Sequence, residues 1–187
     1  MLRKLLQWDA SLTAKLRLEQ GNSKLWPWAV FFSHSGDSWW WLAGLFPVWL
    51  LGIFFWPRWH TIAAVLAFSL LIEAMVVLII KFAIRRKRPD GDWGDIYRST
   101  DPHSFPSGHA ARMLLIAVMS WGIAPLWFAV LLTIWAPLVC IARVMTGVHY
   151  LSDVVAGGVI GILSGFLMLW AMPAIIPLIN SFIPFAF

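Results

Sequence analysis

The sequence predicts an all-α integral membrane bundle, about five transmembrane helices with an amphipathic interfacial helix ahead of them. Three observations carry this. The chain of 187 residues is 60% hydrophobic and 12% charged, with mean hydropathy +0.77; a soluble domain is nearer half apolar and a quarter charged. Its apolar residues gather into runs near the length a bilayer core requires. Its 14 tryptophans collect at the ends of such runs, where an indole ring meets the headgroups and its N–H finds a partner. Trp39, Trp40 and Trp41 stand at one end of the first run, and Trp56 and Trp59 at the other. From Trp39 to Trp56 a helix rises roughly 26 Å, close to the thickness of the hydrocarbon layer. A tryptophan-filled soluble core is excluded, because too few polar residues remain to cover it.

One domain, 1–187, accounts for the length. Residues 1–37 read as an interfacial N-terminal segment. Leu2, Leu5, Leu6, Leu12, Leu16 and Leu18 alternate with Arg3, Lys4, Asp9, Lys15, Arg17 and Glu19, as in a helix lying in the membrane surface. Charge interrupts the apolar residues throughout, which does not fit a signal peptide. Gly21, Asn22 and Ser23 end that helix, and the apolar stretch 25–32 is too short to span. Five runs of spanning length follow at about 38–56, 61–84, 106–121, 126–141 and 150–171. Glu73 interrupts the second, and a polar loop separates it from the third. The tail, 172–187, holds Pro173, Pro177 and Pro184 and reads as interfacial. Cys140 is the one cysteine, so neither a disulfide nor a thiolate metal cluster is expected.

Antiparallel spans bring the end of the second, the start of the third, the end of the fourth and the start of the fifth to one membrane face. All the chemistry-bearing residues lie there. They form three clusters: Lys81 with Arg88-Pro89; Pro106-Ser107-Gly108-His109; and Arg143, His149 and Asp153. Ser107, Gly108 and His109 open a helix, whose free N–H groups and dipole favour a phosphate, and Gly108 lets that backbone come close. Lys81, Arg88 and Arg143 add fixed positive charge, and the arginine fork suits phosphate oxygens. His149 and Asp153 are four residues apart and share a helix face. A carboxylate accepting one imidazole N–H leaves the other nitrogen free to attack. His109 is placed to protonate a leaving oxygen.

With these motifs the chain resembles the type-2 phosphatidic acid phosphatases, membrane enzymes whose Lys-x6-Arg-Pro, Pro-Ser-Gly-His and Ser-Arg-x5-His-x3-Asp motifs occur in this order. The likeness covers about 61–169. It implies that His149 becomes a phosphohistidine supported by Asp153. It also implies that His109 is the general acid, and that Lys81, Arg88, Ser107, Gly108 and Arg143 bind the phosphoryl oxygens. No metal and no cofactor are implied. Ala142 departs from the pattern, since it stands where the family usually has serine. The lost hydrogen bond is worth about 0.5–1.5 kcal/mol, so slower turnover is expected rather than loss of activity.

The expected activity is hydrolysis of a lipid phosphomonoester or diphosphate: a prenyl diphosphate such as undecaprenyl pyrophosphate, a phosphatidate-type lipid or a phosphorylated glycolipid. A phosphotransferase using the same histidine is the near alternative. A transporter or scaffold leaves the catalytic spacing unexplained, and the spans argue against the soluble vanadium haloperoxidases, which share the pocket. The partners are the lipid substrate and the bilayer, not nucleic acid. Gly157, Gly161 and Gly165 continue the spacing of His149 and Asp153 as a stripe for close helix packing, within the chain or in a homodimer. Arg112, one turn beyond His109, either touches a headgroup or second phosphate or pairs with Glu73. Asp90, Asp92, Asp95 and Asp101 do not fit a calcium loop and read as countercharges or a polar lid. The expected setting is a bacterial inner membrane. By this topology only Arg58 among the lysines and arginines lies off the motif-bearing face. Several of those cations serve phosphate, so charge alone leaves the side of the membrane open.

Overall fold

The computed structural model describes residues 2–19, 23–90 and 101–182, and among them every regular element is a helix. In chain order these are α1 (Leu2–Leu16), α2 (Trp26–Ser35), α3 (Ser38–Phe55), α4 (Pro57–Ile84), α5 (Gly108–Ile123), α6 (Leu126–Met145) and α7 (Leu151–Phe182). Asp92, Asp95, Arg98 and Pro184 lie outside the described residues. Helices α3, α4, α6 and α7 are long and apolar enough to cross a membrane, and α5 is a shorter apolar helix of 16 residues.

The side chains are sorted as a bilayer requires. Phe54, Ile79, Leu163 and Trp170 are 74%, 70%, 63% and 80% exposed. Apolar surface on that scale is costly against water but not against hydrocarbon. This is a multi-pass membrane protein. Its core centres on α5, which packs against α7, α6 and α4. Met113, Leu115, Ile116 and Met119 of α5 are fully buried, with Leu66 of α4 and Val139 of α6. Being wrapped by other helices, α5 has little need of the lipid-facing length that its neighbours carry.

The helix ends differ from the expected ones for local reasons. Helix α4 starts at Pro57, whose missing N–H costs nothing in a first turn. The α3–α4 turn is tight: a Cβ on Gly52 would come within 2.7 Å of the His60 backbone, and His60 Nδ1 lies 2.7 Å from the Trp49 carbonyl. Helix α6 continues past 141 to Met145, because Arg143 is bonded inside the bundle. Its Nη1 donates to Ser33 Oγ at 2.9 Å. Helix α7 runs through Pro173 and Pro177 to Phe182, so residues 172–182 of the tail expected to be interfacial continue the last helix. Prolines are tolerated in membrane helices where neighbours satisfy the freed backbone groups.

In the N-terminal segment, helix α1 exposes Leu5, Leu6, Trp8 and Leu16, as a surface helix should. Helix α2, within the stretch expected to be interfacial, packs along α6 and buries Ala29 and Ser33.

Candidate active site

The site begins with the contact between α5 and α7. A Cβ on Gly157 would collide with the Ser107 carbonyl, and one on Gly161 with the Ala111 carbonyl. The glycine stripe is therefore used within the chain, drawing the start of α5 down onto α7. The Ser107 N–H donates to the Asp153 carbonyl at 2.9 Å. Ser107 is the N-cap of α5, its hydroxyl accepting from the Ala110 N–H at 3.5 Å. The second and third motifs are thus joined through backbone.

His149 sits in the turn between α6 and α7 and is 1% exposed. Arg88 Nη1 lies 3.2 Å from its Nε2. A guanidinium can only donate, so Nε2 is the accepting nitrogen and the hydrogen belongs on Nδ1. Nδ1 is 3.6 Å from Asp153 Oδ2, an ion-pair distance rather than a hydrogen bond. Burial first, then Arg143, Arg88 and Lys81, hold His149 well below the usual histidine range. A buried neutral imidazole with its lone pair among cations is suited to attack an anion.

Asp153, wholly buried, takes its shortest bonds elsewhere. Arg86 Nη1 donates to Oδ1 at 2.6 Å, and the Tyr150 N–H donates to Oδ2 at 2.9 Å. Arg86 in turn reaches Asp9 of α1, Nη2 to Oδ2 at 2.7 Å. Asp9 and Thr13 complete the start of α7. Ser152 N–H donates to Asp9 Oδ1 at 3.0 Å and Leu151 N–H to Thr13 Oγ1 at 3.0 Å. Two side chains of α1 thereby act as caps for another helix.

The first-motif cations surround a carboxylate from the chain itself. Lys81 Nζ donates to both Asp101 oxygens at 2.8 and 2.6 Å, and Arg88 Nη2 to Oδ2 at 2.8 Å. The carboxylate stands in for the oxygens of an anion. Arg112 turns away from solvent and donates from Nη1 to the Gly36 carbonyl at 2.7 Å. Of the two readings of Arg112, the pairing with Glu73 takes no hydrogen bond: both Glu73 oxygens lack a hydrogen-bond partner among the described residues, although the two charges act on each other through space.

His109 opens α5 with its Nε2 2.6 Å from Asp37 Oδ1. Arg143, Arg112, His149 and Lys81 all act on it electrostatically, so residues of all three motifs lie within electrostatic range of His109. Sequence reasoning missed Asp9, Ser33, Asp37 and the specific part of Arg86. Asp37 precedes an apolar run and looks like an ordinary helix cap. Arg86 stands in a basic cluster that reads as a topology signal.

The sequence pattern of the PAP2 superfamily matches residues 62–177. The chain belongs to this superfamily. Its PAP2 region spans α4 to α7 and includes every motif residue named above. The chain is 33% identical over 142 residues to an undecaprenyl-diphosphatase of Sulfolobus acidocaldarius, covering 74% of this chain and 66% of that protein. It is 33% identical over 93 residues to a lipid A 1-phosphatase of Porphyromonas gingivalis, covering 48% of this chain and 19% of that one. It therefore matches less than two thirds of either relative's length. The crystal structure of a PAP2-type phosphatidylglycerolphosphate phosphatase from Bacillus subtilis superposes with a TM-score of 0.74 at 22% identity. It covers 92% of this chain and 88% of the other, and that likeness is one of fold. Asp9, Ser33, Asp37 and the α2–α3 turn lie before the matched region.

Proposed function

We propose that this PAP2 protein is a metal-independent lipid phosphatase that hydrolyses a lipid phosphomonoester or diphosphate through a phosphohistidine. One observation carries the reading. Arg88 fixes Nε2 of the buried, neutral His149 as the nitrogen that bears the lone pair, among Lys81, Arg88 and Arg143. The proposed phosphoryl group binds to those cations, to the Ser107 hydroxyl and to the Gly108 N–H at the start of α5. His149 Nε2 attacks phosphorus, and Asp153 faces the Nδ1–H that gains positive charge. His109 gives a proton to the departing oxygen. Water then attacks the phosphohistidine, and His109 takes that water's proton.

The relatives' names support a lipid phosphate as substrate, and the prenyl diphosphates, phosphatidate-type lipids and phosphorylated glycolipids are the classes to test. A site beside lipid-facing helices suits a phosphate whose chain remains in the bilayer. The whole chain, 1–187, acts as one phosphatase domain in a bacterial cell membrane. Gly157 and Gly161 pack against α5 within the chain, which supports use of the glycine stripe inside the monomer rather than in a homodimer.

The test is turnover of purified protein over these lipid classes, with phosphate release in EDTA and trapping of an acid-labile phosphoenzyme. His149→Ala should abolish both. Appreciable release by that variant rules the mechanism out, and release below the amount of lipid consumed indicates transfer to a second lipid.

A further inference from the structure

Asp37 sits at the N-cap of α3, where a carboxylate ordinarily accepts an N–H of the first turn. Its side chain makes no such bond. Oδ1 lies 2.6 Å from His109 Nε2, and Oδ2 lies 3.1 Å from His34 Nδ1. A helix cap has been given up for a histidine 72 positions away. The turn that carries Asp37 is fastened at two further points. Arg143 donates to Ser33 Oγ at 2.9 Å and Arg112 to the Gly36 carbonyl at 2.7 Å. Gly36 brings the turn close: an added Cβ would stand 3.1 Å from His109 Cδ2 and 2.9 Å from Val139 Cγ1. Arg143, Arg112 and His109 thus all grip residues 33–37, which precede the superfamily match.

We propose that Asp37 is a positioning residue for His109, so that a second histidine–aspartate pair serves the leaving-group side of the site. The inference rests on the phosphatase reading above. A carboxylate accepts, so His109 Nε2 carries the hydrogen, and Nδ1 is the nitrogen left to face the substrate. As His149 Nε2 bonds to phosphorus and the ester P–O bond breaks, the Nδ1 proton passes to the departing oxygen. Asp37 keeps its hydrogen bond to Nε2 throughout. For that transfer the ring must be an imidazolium, a form that Arg143, Arg112 and Lys81 oppose. The Asp37 carboxylate supplies the opposite charge that this form needs.

The experiment varies the leaving group. Nitrophenolate departs without a proton, whereas an alkoxide needs one. Wild type and Asp37→Asn would be compared on a long-chain alkyl phosphate and on a nitrophenyl phosphate bearing an alkyl chain. The expected result is a kcat/KM at least about tenfold lower on the alkyl ester, with less than about a threefold change on the nitrophenyl ester. Introducing Asp37→Asn into His109→Gln should cost nothing further on the alkyl ester. Equal losses on both esters, no loss on either, or a further loss in the His109→Gln background would overturn the proposal. If Asp37→Asn folds poorly, Asp37→Ser retains a good N-cap residue without the carboxylate and serves the same comparison. The phosphatase reading is judged separately, by His149→Ala on the nitrophenyl ester. Turnover there defeats that reading, whatever Asp37 does.

Discussion

Arg86 Nη1 donates to Asp153 Oδ1 at 2.6 Å, while His149 Nδ1 stands 3.6 Å from the other oxygen of the same carboxylate. The aspartate paired with the proposed nucleophile is therefore held first by an arginine from one of the unspecified positions of the first motif. Arg86 also donates to Ser152 Oγ and Asp9 Oδ2, both at 2.7 Å, and its guanidinium lies 4.0 Å from the centre of the Tyr150 ring. The amphipathic surface helix is thereby wired to the catalytic turn.

Removing one partner of a buried charge pair costs about 3–5 kcal/mol, because the other charge is stranded. Arg86→Met should therefore lower thermal stability and kcat together. Asp9→Asn should act in the same direction, more weakly, as Arg86 retains Asp153. In a double-mutant cycle the two should be non-additive by at least about 0.5 kcal/mol in kcat/KM. Strict additivity would mean that α1 and Asp153 are independent.

Asp101 makes a different kind of prediction. Its carboxylate takes three hydrogen bonds from Lys81 and Arg88, and a phosphoryl group bound there must displace it or share its donors. Asp101→Asn removes the competing charge. Orthovanadate, which resembles the five-coordinate phosphorus of the transition state, should then inhibit several-fold more tightly. Weaker inhibition would show that Asp101 holds the two cations in place instead.

The His149 ring should remain neutral while the pH falls through 6.5, the ordinary histidine value. The sign follows from its surroundings. Burial and the cations Arg143, Arg88 and Lys81 all disfavour the imidazolium and so move its titration to lower pH. The form with a free Nε2 lone pair is thus kept across the range where an exposed histidine loses it. Histidine NMR, with the signal assigned by its loss in His149→Gln, is the measurement. Titration at or above 6.5 would contradict this account of the pocket.

The spans and motif residues were legible in the sequence because they rest on composition and fixed spacing. Lys81, Arg88, Ser107, His109, Arg143, His149 and Asp153 meet on one face, as antiparallel helices of similar length require. Asp37, Asp9 and Ser33 were not legible. Each contact depends on how a segment outside the motifs folds back, and nothing in a local pattern records that 33–37 returns to α5 and α6. The true end of α6 was hidden for the same reason. Arg143 looks like a stop signal until Ser33 is seen to receive it. The extension of α7 was masked by Pro173 and Pro177, which break soluble helices more readily than membrane ones.

Gly108 separates a packing role from a ligand role. At Gly157 a Cβ would strike the Ser107 backbone, so Gly157→Ala should destabilise the protein. A Cβ at Gly108 would meet only Val77 Cγ1 at 3.5 Å and Arg112 Nη2 at 3.8 Å, ordinary contact distances. Glycine also costs a helix up to about 1 kcal/mol relative to alanine. Folding alone would therefore accept alanine here, at no loss or a small gain in melting temperature. The proposed phosphate, however, rests on the Ser107 hydroxyl and the Gly108 N–H at the start of α5, and a methyl group there crowds it. Gly108→Ala should keep its melting temperature and lose at least about tenfold in kcat/KM, since displacing a reacting group by about 1 Å can cost a hundredfold. Unchanged activity in a folded Gly108→Ala protein would mean that the phosphoryl group does not sit against the start of α5, and the assigned geometry of the site would have to be redrawn around Lys81 and Arg88 alone.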